Sequence, residues 1–340
     1  MDIITSTQNP RIKRLLALQE KSSERRRSGL FVVEGRRELE HCLAAGYEVE
    51  TVFVRPLSNS PRGGEDSITS EDKNENIAFA PLPQTGAADS LSSKAEEVNI
   101  GFAALPQTGA ADSLSSKAEE VNIGLAALPP TGGAGSGALF YVSPHVYERI
   151  AYRGSNEGVV AIVRAKQRTL EDLSIGLAAL PPTGGAGSGA LFVILESVEK
   201  PGNLGAVLRS ADAAGATAVI VCDPLTDLYN PNLIRASIGA CFTVPTVACT
   251  SEECIRFLKA HGVQILTAQL QDSSLYYDTD MTRPTAIVMG TESTGLTDIW
   301  RAAADAHIRI PMLGRLDSLN VSVSAAILLF EAVRQRQNGL

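Results

Sequence analysis

The 340-residue sequence lacks the features that identify membrane, secreted and metal-binding proteins. It has five cysteines, an odd number with no C-x-x-C pair, and four histidines without metal-ligand spacing. Buried reduced thiols are therefore favoured over disulfides and zinc ligands. No apolar run approaches the length of a membrane span, and the N-terminal segment has no signal-peptide core. We expect a cytoplasmic protein with neither a metal nor a membrane partner.

Acidic residues exceed basic residues only modestly over the whole chain, but the two kinds are unevenly distributed. The net charge is −8, and residues 57–138 alone hold eleven acidic and four basic residues, a net charge of −7. The segment 11–37 carries nine Lys or Arg residues against three Glu. Charge alone favours a solvated helix surface there, with RNA binding as the alternative. The acidic total does not exclude an RNA partner, because the distribution of charge matters more than its sum.

Identical internal repeats occupy the middle of the chain. IGLAALPPTGGAGSGALF occurs at Ile123–Phe140 and again at Ile175–Phe192, and a second unit occurs at Leu82–Gly101 and Leu105–Gly124. The units contain few large apolar residues, so stacked copies would have little surface to bury. Letter-for-letter identity also indicates recent duplication, since stacked repeats need to keep only their core positions. We interpret residues 57–138 as a repetitive low-complexity insertion, and 167–190 as a linker with the second copy.

The glycine-rich part of the repeat, GGAGSG at Gly132–Gly137, does not have the surroundings of a phosphate-binding loop. Such a loop follows a strand and begins a helix. Here Leu-Pro-Pro-Thr precedes the glycines, and the strand-like ALFYV follows them. A flexible linker is favoured. A nucleotide-dependent enzyme built on this loop stays a distant alternative.

Outside the repeats, strand-like apolar segments alternate with amphipathic helical segments. From Leu191 onwards the strand-like segments are LFVILES, TAVIVC, TVPTVA, VQILTAQ, AIVMG and HIRIPM. Helices are predicted to begin at Asn203 and near Asn232, to span Glu252–Ala260, and to end the chain over Ser318–Gln335. This alternation predicts an α/β fold with a parallel sheet covered on both faces.

Three segments place polar residues at predicted strand-to-helix junctions. EKPGNLGAVLRSADAAG carries Asn203 at a predicted helix N-cap and Arg209 two turns later. IVMGTESTGL runs from a buried strand into a glycine-flanked loop that contains Glu292. IPMLGRLDSLNVSVSAAILLFEAV opens the last helix with Ser318 and Asn320. Taken singly, each segment is explained as well by an ordinary capped helix or a solvated turn.

Together, the three segments resemble the motifs of the SpoU (TrmH) RNA ribose 2′-O-methyltransferases of the SPOUT superfamily. The matching residues are P-G-N-L-G-A-x-x-R, then G-x-E-x-x-G-L, then I-P-M-x-G-x-x-x-S-L-N-V-S-V. TSTQNPRIKRLLAL and FVVEGRRELEHCLAAG resemble the start of the family's small α/β/α RNA-binding domain, and SNEGVVAIVR resembles its last strand. The resemblance covers residues 1–56, 139–172 and 191–336, so both copies of the longer repeat interrupt the family pattern.

The resemblance implies a fold, a cofactor and an assembly. The C-terminal parallel-sheet domain is expected to be knotted as a trefoil, an exception to the rule that chains stay unknotted. The cofactor is expected to be S-adenosylmethionine, held by backbone groups around Gly290, Ile310 and Leu319. Family members are homodimers with active sites at the subunit interface, so we expect a homodimer.

The resemblance also implies which residues carry the reaction. The activating role falls on Arg209, with a polar set that orients it, the ribose and the knot loops: Asn203, Glu292, Ser318 and Asn320. An arginine is a poor general base, because its pKa exceeds about 12. We interpret Arg209 as a guanidinium that binds the phosphate next to the ribose and lowers the pKa of the 2′-hydroxyl.

The last expectations concern domains and substrate. Residues 1–56 plus 139–166 are expected to form the RNA-binding domain, and residues 191–340 the methyltransferase domain. Candidates for RNA-phosphate contacts are Arg25, Arg26 and Arg27. The additional N-terminal domain favours ribosomal RNA, 23S or another, by family analogy. A transfer-RNA methyltransferase and a catalytically silent RNA-binding protein of the same fold are the alternatives.

Overall fold

The computed structural model describes residues 3–56, 138–151, 158–173, 189–291 and 294–338. Within these ranges the first of two sheets is mixed, with the strand order β1-β4-β3-β5-β2. Its strands are β1 (Ile3–Ile4), β2 (Leu30–Glu34), β3 (Val49–Val54), β4 (Ala138–Val142) and β5 (Val159–Arg164). The helices of this domain are α1 (Pro10–Glu20), α2 (Ser22–Ser28), α3 (Arg36–Ala44) and α4 (Pro144–Ile150).

The second sheet has the strand order β10-β12-β9-β11-β6-β7-β8, and its neighbouring strands pair in parallel. Its strands are β6 (Leu191–Glu196), β7 (Ala218–Cys222), β8 (Thr246–Cys249), β9 (Gln264–Ala268), β10 (Ser274–Leu275), β11 (Thr285–Met289) and β12 (Ala306–Arg309). The helices are α5 (Pro201–Ala213), α6 (Pro231–Ser237), α7 (Ala240–Thr243), α8 (Ser251–Ala260), α9 (Asp298–Ala303) and α10 (Val321–Asn338). No helix in the described ranges is long and apolar enough to cross a membrane.

The central strands of the second sheet are apolar along their whole length because both faces are covered. LFVILE, AVIVC and TAIVM are buried at every position. One face packs on Leu208 of α5 and Leu328 of α10. The other face packs on Leu258 of α8 and Trp300 of α9. The predicted α/β fold with a covered parallel sheet is therefore confirmed.

The strand order creates a switch point in the second sheet. The first strand of this sheet is β6, and β7 and β8 follow outward on one side of it. The chain then crosses to the opposite side of β6, where β11 lies between β9 and β6. Ligand clefts of open α/β sheets form where such crossovers diverge, at the carboxyl ends of the strands. The trefoil knot that the resemblance implies is consistent with this strand order.

Two helix boundaries differ from the prediction. Helix α5 begins at Pro201 with Lys200 as its N-cap, so Asn203 is not the N-cap. Proline suits the first position of a helix because its φ is already helical, and this moves the boundary ahead of Asn203. Helix α10 begins after Ser318, because Asn320 is its cap and accepts the Ser322 N–H at 3.0 Å.

The described part of each copy of the longer repeat is its C-terminal end. Ala138, the last residue of the predicted insertion, pairs with Thr51 where β4 aligns with β3. In the second copy, Leu191 begins β6. The predicted glycine loop at Gly132–Gly137 and nearly all of the predicted insertion lie outside the described residues.

Aromatic side chains join the two sheets. Phe31 of β2 stacks on Tyr229, which precedes α6, with ring centroids 4.3 Å apart. Tyr47 packs edge-on against Phe242 of α7 at 5.3 Å. The Tyr229 hydroxyl donates to the Lys166 carbonyl oxygen at 2.7 Å. Both sheets belong to one compact unit, so these contacts hold the N-terminal domain in a defined position relative to the switch point.

Candidate active site

A cleft of about 410 Å³ opens at the carboxyl ends of β9, β11 and β12. The three residues expected to hold the cofactor, Gly290, Ile310 and Leu319, all line it, and Ser318 lines it too. Much of the remaining wall is apolar: Met289, Leu296, Ile308, Met312 and Val321. Polar side chains such as Gln269, Thr291 and Arg309 line the rest, and a cleft with both kinds of surface suits a small ligand that contains a nucleoside and charged groups. The residues present therefore fit S-adenosylmethionine.

Gly290 brings two backbone segments of the cleft into contact. A Cβ atom at this position would lie 2.2 Å from the Gly295 carbonyl oxygen and 2.6 Å from the Leu296 nitrogen. Side chains larger than hydrogen are therefore excluded unless the loop shifts. The loop closes further where the Thr294 N–H donates to Thr291 Oγ1 at 3.0 Å. The predicted site residue Glu292 lies in this loop, outside the described residues.

A buried carboxylate holds the far end of the same loop. Glu196, the last residue of β6, is 4% exposed. Its Oε2 accepts the Thr297 N–H at 2.9 Å, and its Oε1 accepts the Thr297 hydroxyl at 2.6 Å. Sequence reasoning missed Glu196, although an acidic residue at the end of a fully apolar strand was a usable signal.

A smaller cleft of about 160 Å³ adjoins the first and shares Gly290 with it. Lys200 and Asn203, from the start of α5, line this cleft. The Asn320 side-chain amide donates to Asn203 Oδ1 at 3.2 Å. Thus Asn203, Gly290 and Asn320, one from each motif, meet around the smaller cleft, and Ser318 and Leu319 lie at the larger one.

Arg209 lies apart from this cluster within the chain. It is exposed on α5 and lines neither cleft. It follows Asn203 by six positions, which turns it by about 240° around a helix with 3.6 residues per turn. Its side chain therefore leaves a different face of α5 from that of Asn203.

Gln269, directly after β9, is a second cleft residue that sequence reasoning missed. Its Nε2 donates to the Gln271 carbonyl oxygen at 2.9 Å. Its Oε1 is buried and has no hydrogen-bond partner in the described part of the chain. A buried unpaired acceptor costs about 1–3 kcal/mol. A donor group on a bound ligand would remove that cost, but no motif in the sequence marked this position.

The three candidate RNA-binding arginines have different environments. Arg25 is 5% exposed, and its Nε donates to Asp227 at 2.6 Å, so it links the two domains. The expectation that Arg25 binds RNA is therefore wrong, because its guanidinium is already enclosed by protein acceptors. Arg26 is exposed, and the exposed Arg27 pairs with Glu24 on its own helix.

Comparison with known proteins agrees with this architecture. Residues 190–330 match the SpoU rRNA Methylase family, and residues 9–80 match the MRM3-like substrate binding domain. The 23S rRNA (guanosine-2′-O-)-methyltransferase RlmB of Photobacterium profundum is 40% identical over 185 residues, 54% of this chain and 73% of the relative. Other curated relatives are matched over as little as 54% of their own length.

Solved structures agree over nearly the whole chain. A crystal structure of an RNA 2′-O ribose methyltransferase superposes with a TM-score of 0.65 and 33% identity, covering 99% of this chain and 100% of the other. An AdoMet-bound rRNA methyltransferase from Sinorhizobium meliloti superposes with a TM-score of 0.68 and 25% identity, covering 98% and 97%.

The fold and the two adjoining clefts are thus those of a SpoU-type methyltransferase domain built on a parallel α/β sheet. The chain belongs to the SpoU family of RNA ribose 2′-O-methyltransferases, and the resemblance of its three motifs to that family is confirmed.

Proposed function

We propose that the protein transfers a methyl group from S-adenosylmethionine to a ribose 2′-hydroxyl in ribosomal RNA. The observation that carries this proposal is the meeting of the three motifs around two adjoining clefts. Asn203 and Asn320 are hydrogen-bonded beside Gly290, and Ile310 and Leu319 line the larger cleft. The reported relatives are named for the same reaction on 23S ribosomal RNA.

S-adenosylmethionine supplies an electrophilic methyl group when it is bound. Backbone groups beside Gly290, Ile310 and Leu319 would hold it in the larger cleft, where Met289, Leu296 and Ile308 supply apolar surface. Asn203 and Asn320, with Ser318, orient the polar side of the site. Glu292 belongs to the same proposed set by its motif position. Positioning supplies most of the acceleration, because attack on a sulfonium cancels charge rather than creating it.

Arg209 is the proposed activating residue. Its planar guanidinium binds the phosphate next to the target ribose through two parallel N–H donors. The positive charge would lower the pKa of the 2′-hydroxyl, so that its proton can pass to a solvent water when the oxygen is methylated. A guanidinium stays protonated at neutral pH, so it acts through charge and geometry and does not accept the proton.

The proposed active form is a homodimer. Large apolar side chains are exposed in the motif-three loop, where Leu313 is 96% and Leu316 is 76% exposed. Val323 and Phe330, seven residues apart on one face of α10, are exposed as well. Contiguous exposed apolar surface is typical of interaction sites. The exposed Arg209 of the partner subunit would then reach a cleft from which the protomer's own Arg209 is turned away.

Methyl transfer to defined RNAs tests the proposal. Radiolabelled S-adenosylmethionine is supplied with an unmodified 23S rRNA transcript or with transfer RNA, and the labelled nucleotide is mapped. We expect label at a ribose of the ribosomal RNA, and a loss of transfer in Arg209→Ala with unchanged cofactor affinity by calorimetry. Label in transfer RNA alone would support the tRNA alternative. RNA binding with no transfer to either RNA would support the silent binder.

A further inference from the structure

Three cysteines far apart in the sequence meet at one edge of the second sheet. Cys222 is the last residue of β7, and Cys249 is the last residue of β8. The two are register partners in the parallel ladder. Cys254 lies in the first turns of α8, which follows β8. The three sulfur atoms lie within 4.8 Å of one another.

The cysteine cluster, Cys222, Cys249 and Cys254, is closed on one side and open on the other. Cys222 and Cys254 are completely buried. Cys249 is half-buried and lines a surface cleft together with Glu253 and Arg256. The cleft therefore reaches the cluster at Cys249.

The distances suit a thiophilic cation. Zinc binds thiolate sulfur at about 2.3 Å, so tetrahedral geometry places the sulfurs about 3.8 Å apart. Sulfur atoms that lie within 4.8 Å of one another come close to this spacing. Sulfur ligands select zinc over hard cations such as Mg²⁺ and Ca²⁺. Two strand ends and the following helix fix the ligands, so the site is preformed by the sheet.

The surrounding charges favour a cation over bare thiolates. Asp223 follows Cys222 directly, and Glu253 precedes Cys254. A bound cation would interact favourably with the thiolates and with both carboxylates.

We propose that Cys222, Cys249 and Cys254 form a three-thiolate site for a zinc-like divalent cation, with its fourth position open to the cleft. The site rests on the side-chain cluster and not on the proposed methyl transfer. Its position, two strands away from the cofactor cleft, gives it a structural role. The ion would join β7, β8 and α8 and stabilise the native state by mass action.

Cobalt(II) and zinc(II) titrations of the full chain test the site. The metal-free, reduced protein is titrated with Co²⁺ without oxygen, and the thiolate-to-cobalt charge-transfer absorption is followed. We expect saturation at one equivalent per chain, displacement by Zn²⁺, and a higher Tm with Zn²⁺. Cys249→Ser, at the half-buried position, should weaken Co²⁺ binding by more than about tenfold.

A variant without the other two cysteines is the matched control. Cys42→Ala/Cys241→Ala keeps the cysteine cluster, so its Co²⁺ binding should equal that of the wild type. All its thiols belong to the cluster, and Zn²⁺ should protect them from a thiol reagent even if a cluster variant does not fold. Absence of the charge-transfer absorption, or equal binding by Cys249→Ser, overturns the proposal. A Cys222–Cys249 disulfide in protein isolated without reductant, together with no Co²⁺ uptake after reduction, would instead identify a redox pair.

Discussion

The side-chain amide of Asn320 donates a hydrogen bond to Oδ1 of Asn203, 3.2 Å away and 117 positions earlier in the chain. The Oδ1 atom of the same Asn320 accepts the Ser322 N–H at 3.0 Å and the Ser322 hydroxyl at 2.6 Å. One side chain thus caps the last helix and joins the first motif to the third. The cap fixes the orientation from which the amide reaches Asn203.

Alanine at the two positions should separate capping from positioning. Asn320→Ala removes the cap, which is worth about 1 kcal/mol, and should lower the Tm by about 2–4 °C. Asn203→Ala leaves the cap intact and should leave the Tm nearly unchanged. Both should lower kcat by about ten- to a hundredfold, because the site loses its alignment. Thermal unfolding and single-turnover methyl transfer measure the two effects. If Asn203→Ala kept the turnover of the wild type, the hydrogen bond between Asn320 and Asn203 would have no part in the proposed site.

Gly290→Ala should abolish cofactor binding. The added methyl group would lie 2.2 Å from the Gly295 carbonyl oxygen, so the loop that lines both clefts must move. Gly202→Ala is the matched control, because a Cβ there meets no atom within 4 Å. Calorimetry with S-adenosylmethionine should detect no binding to the first variant and normal binding to the second. Normal affinity in Gly290→Ala would show that the cofactor does not depend on this loop.

Gln269→Leu should change stability and cofactor affinity in opposite directions. Leucine removes the buried Oε1 atom that has no partner in the described part of the chain, so the ligand-free protein should gain up to about 1–3 kcal/mol. S-adenosylmethionine should bind more weakly, because the variant cannot accept a hydrogen bond in the cleft. Urea unfolding of the ligand-free protein and calorimetry report the two effects. Equal affinity of variant and wild type would mean that the cofactor does not contact Gln269.

Arg25 and Arg26 should give opposite phenotypes although they are adjacent. Arg25→Ala removes the donor to Asp227 Oδ2 and to the carbonyl oxygens of Leu18 and Gln19, and should cost about 3–5 kcal/mol of stability. Arg26→Ala should leave stability unchanged but weaken RNA binding, with the salt-dependence slope reduced by about one. Urea unfolding and RNA titrations at several salt concentrations measure these effects. If the salt dependence of RNA binding were unchanged in Arg26→Ala, helix α2 would be an ordinary solvated surface that does not bind RNA.

Local patterns in the sequence were sufficient for the architecture and for much of the cleft. The continuous apolar runs of β6, β7 and β11 predicted a sheet covered on both faces, because only such a sheet buries every position of a strand. The resemblance of the three motifs to the family implied a site that includes Gly290, Ile310 and Leu319, and the structure brings these three residues to one cleft. These patterns are readable because each depends on neighbouring residues along the chain.

Features that depend on contacts between distant segments were decided by the tertiary structure alone. Arg25 sits in a basic run that looks solvated, yet Asp227, 202 positions later, encloses it. Pairing of β7 with β8 brings Cys222 to Cys249, although the sequence has no C-x-x-C pair and favoured buried thiols over zinc ligands. The buried Oε1 of Gln269 likewise becomes visible only once the cleft exists.

The sequence determined which elements form and which motifs they carry. The packing of those elements decided which polar groups are buried, paired or exposed, because burial depends on residues that are distant in sequence and close in space.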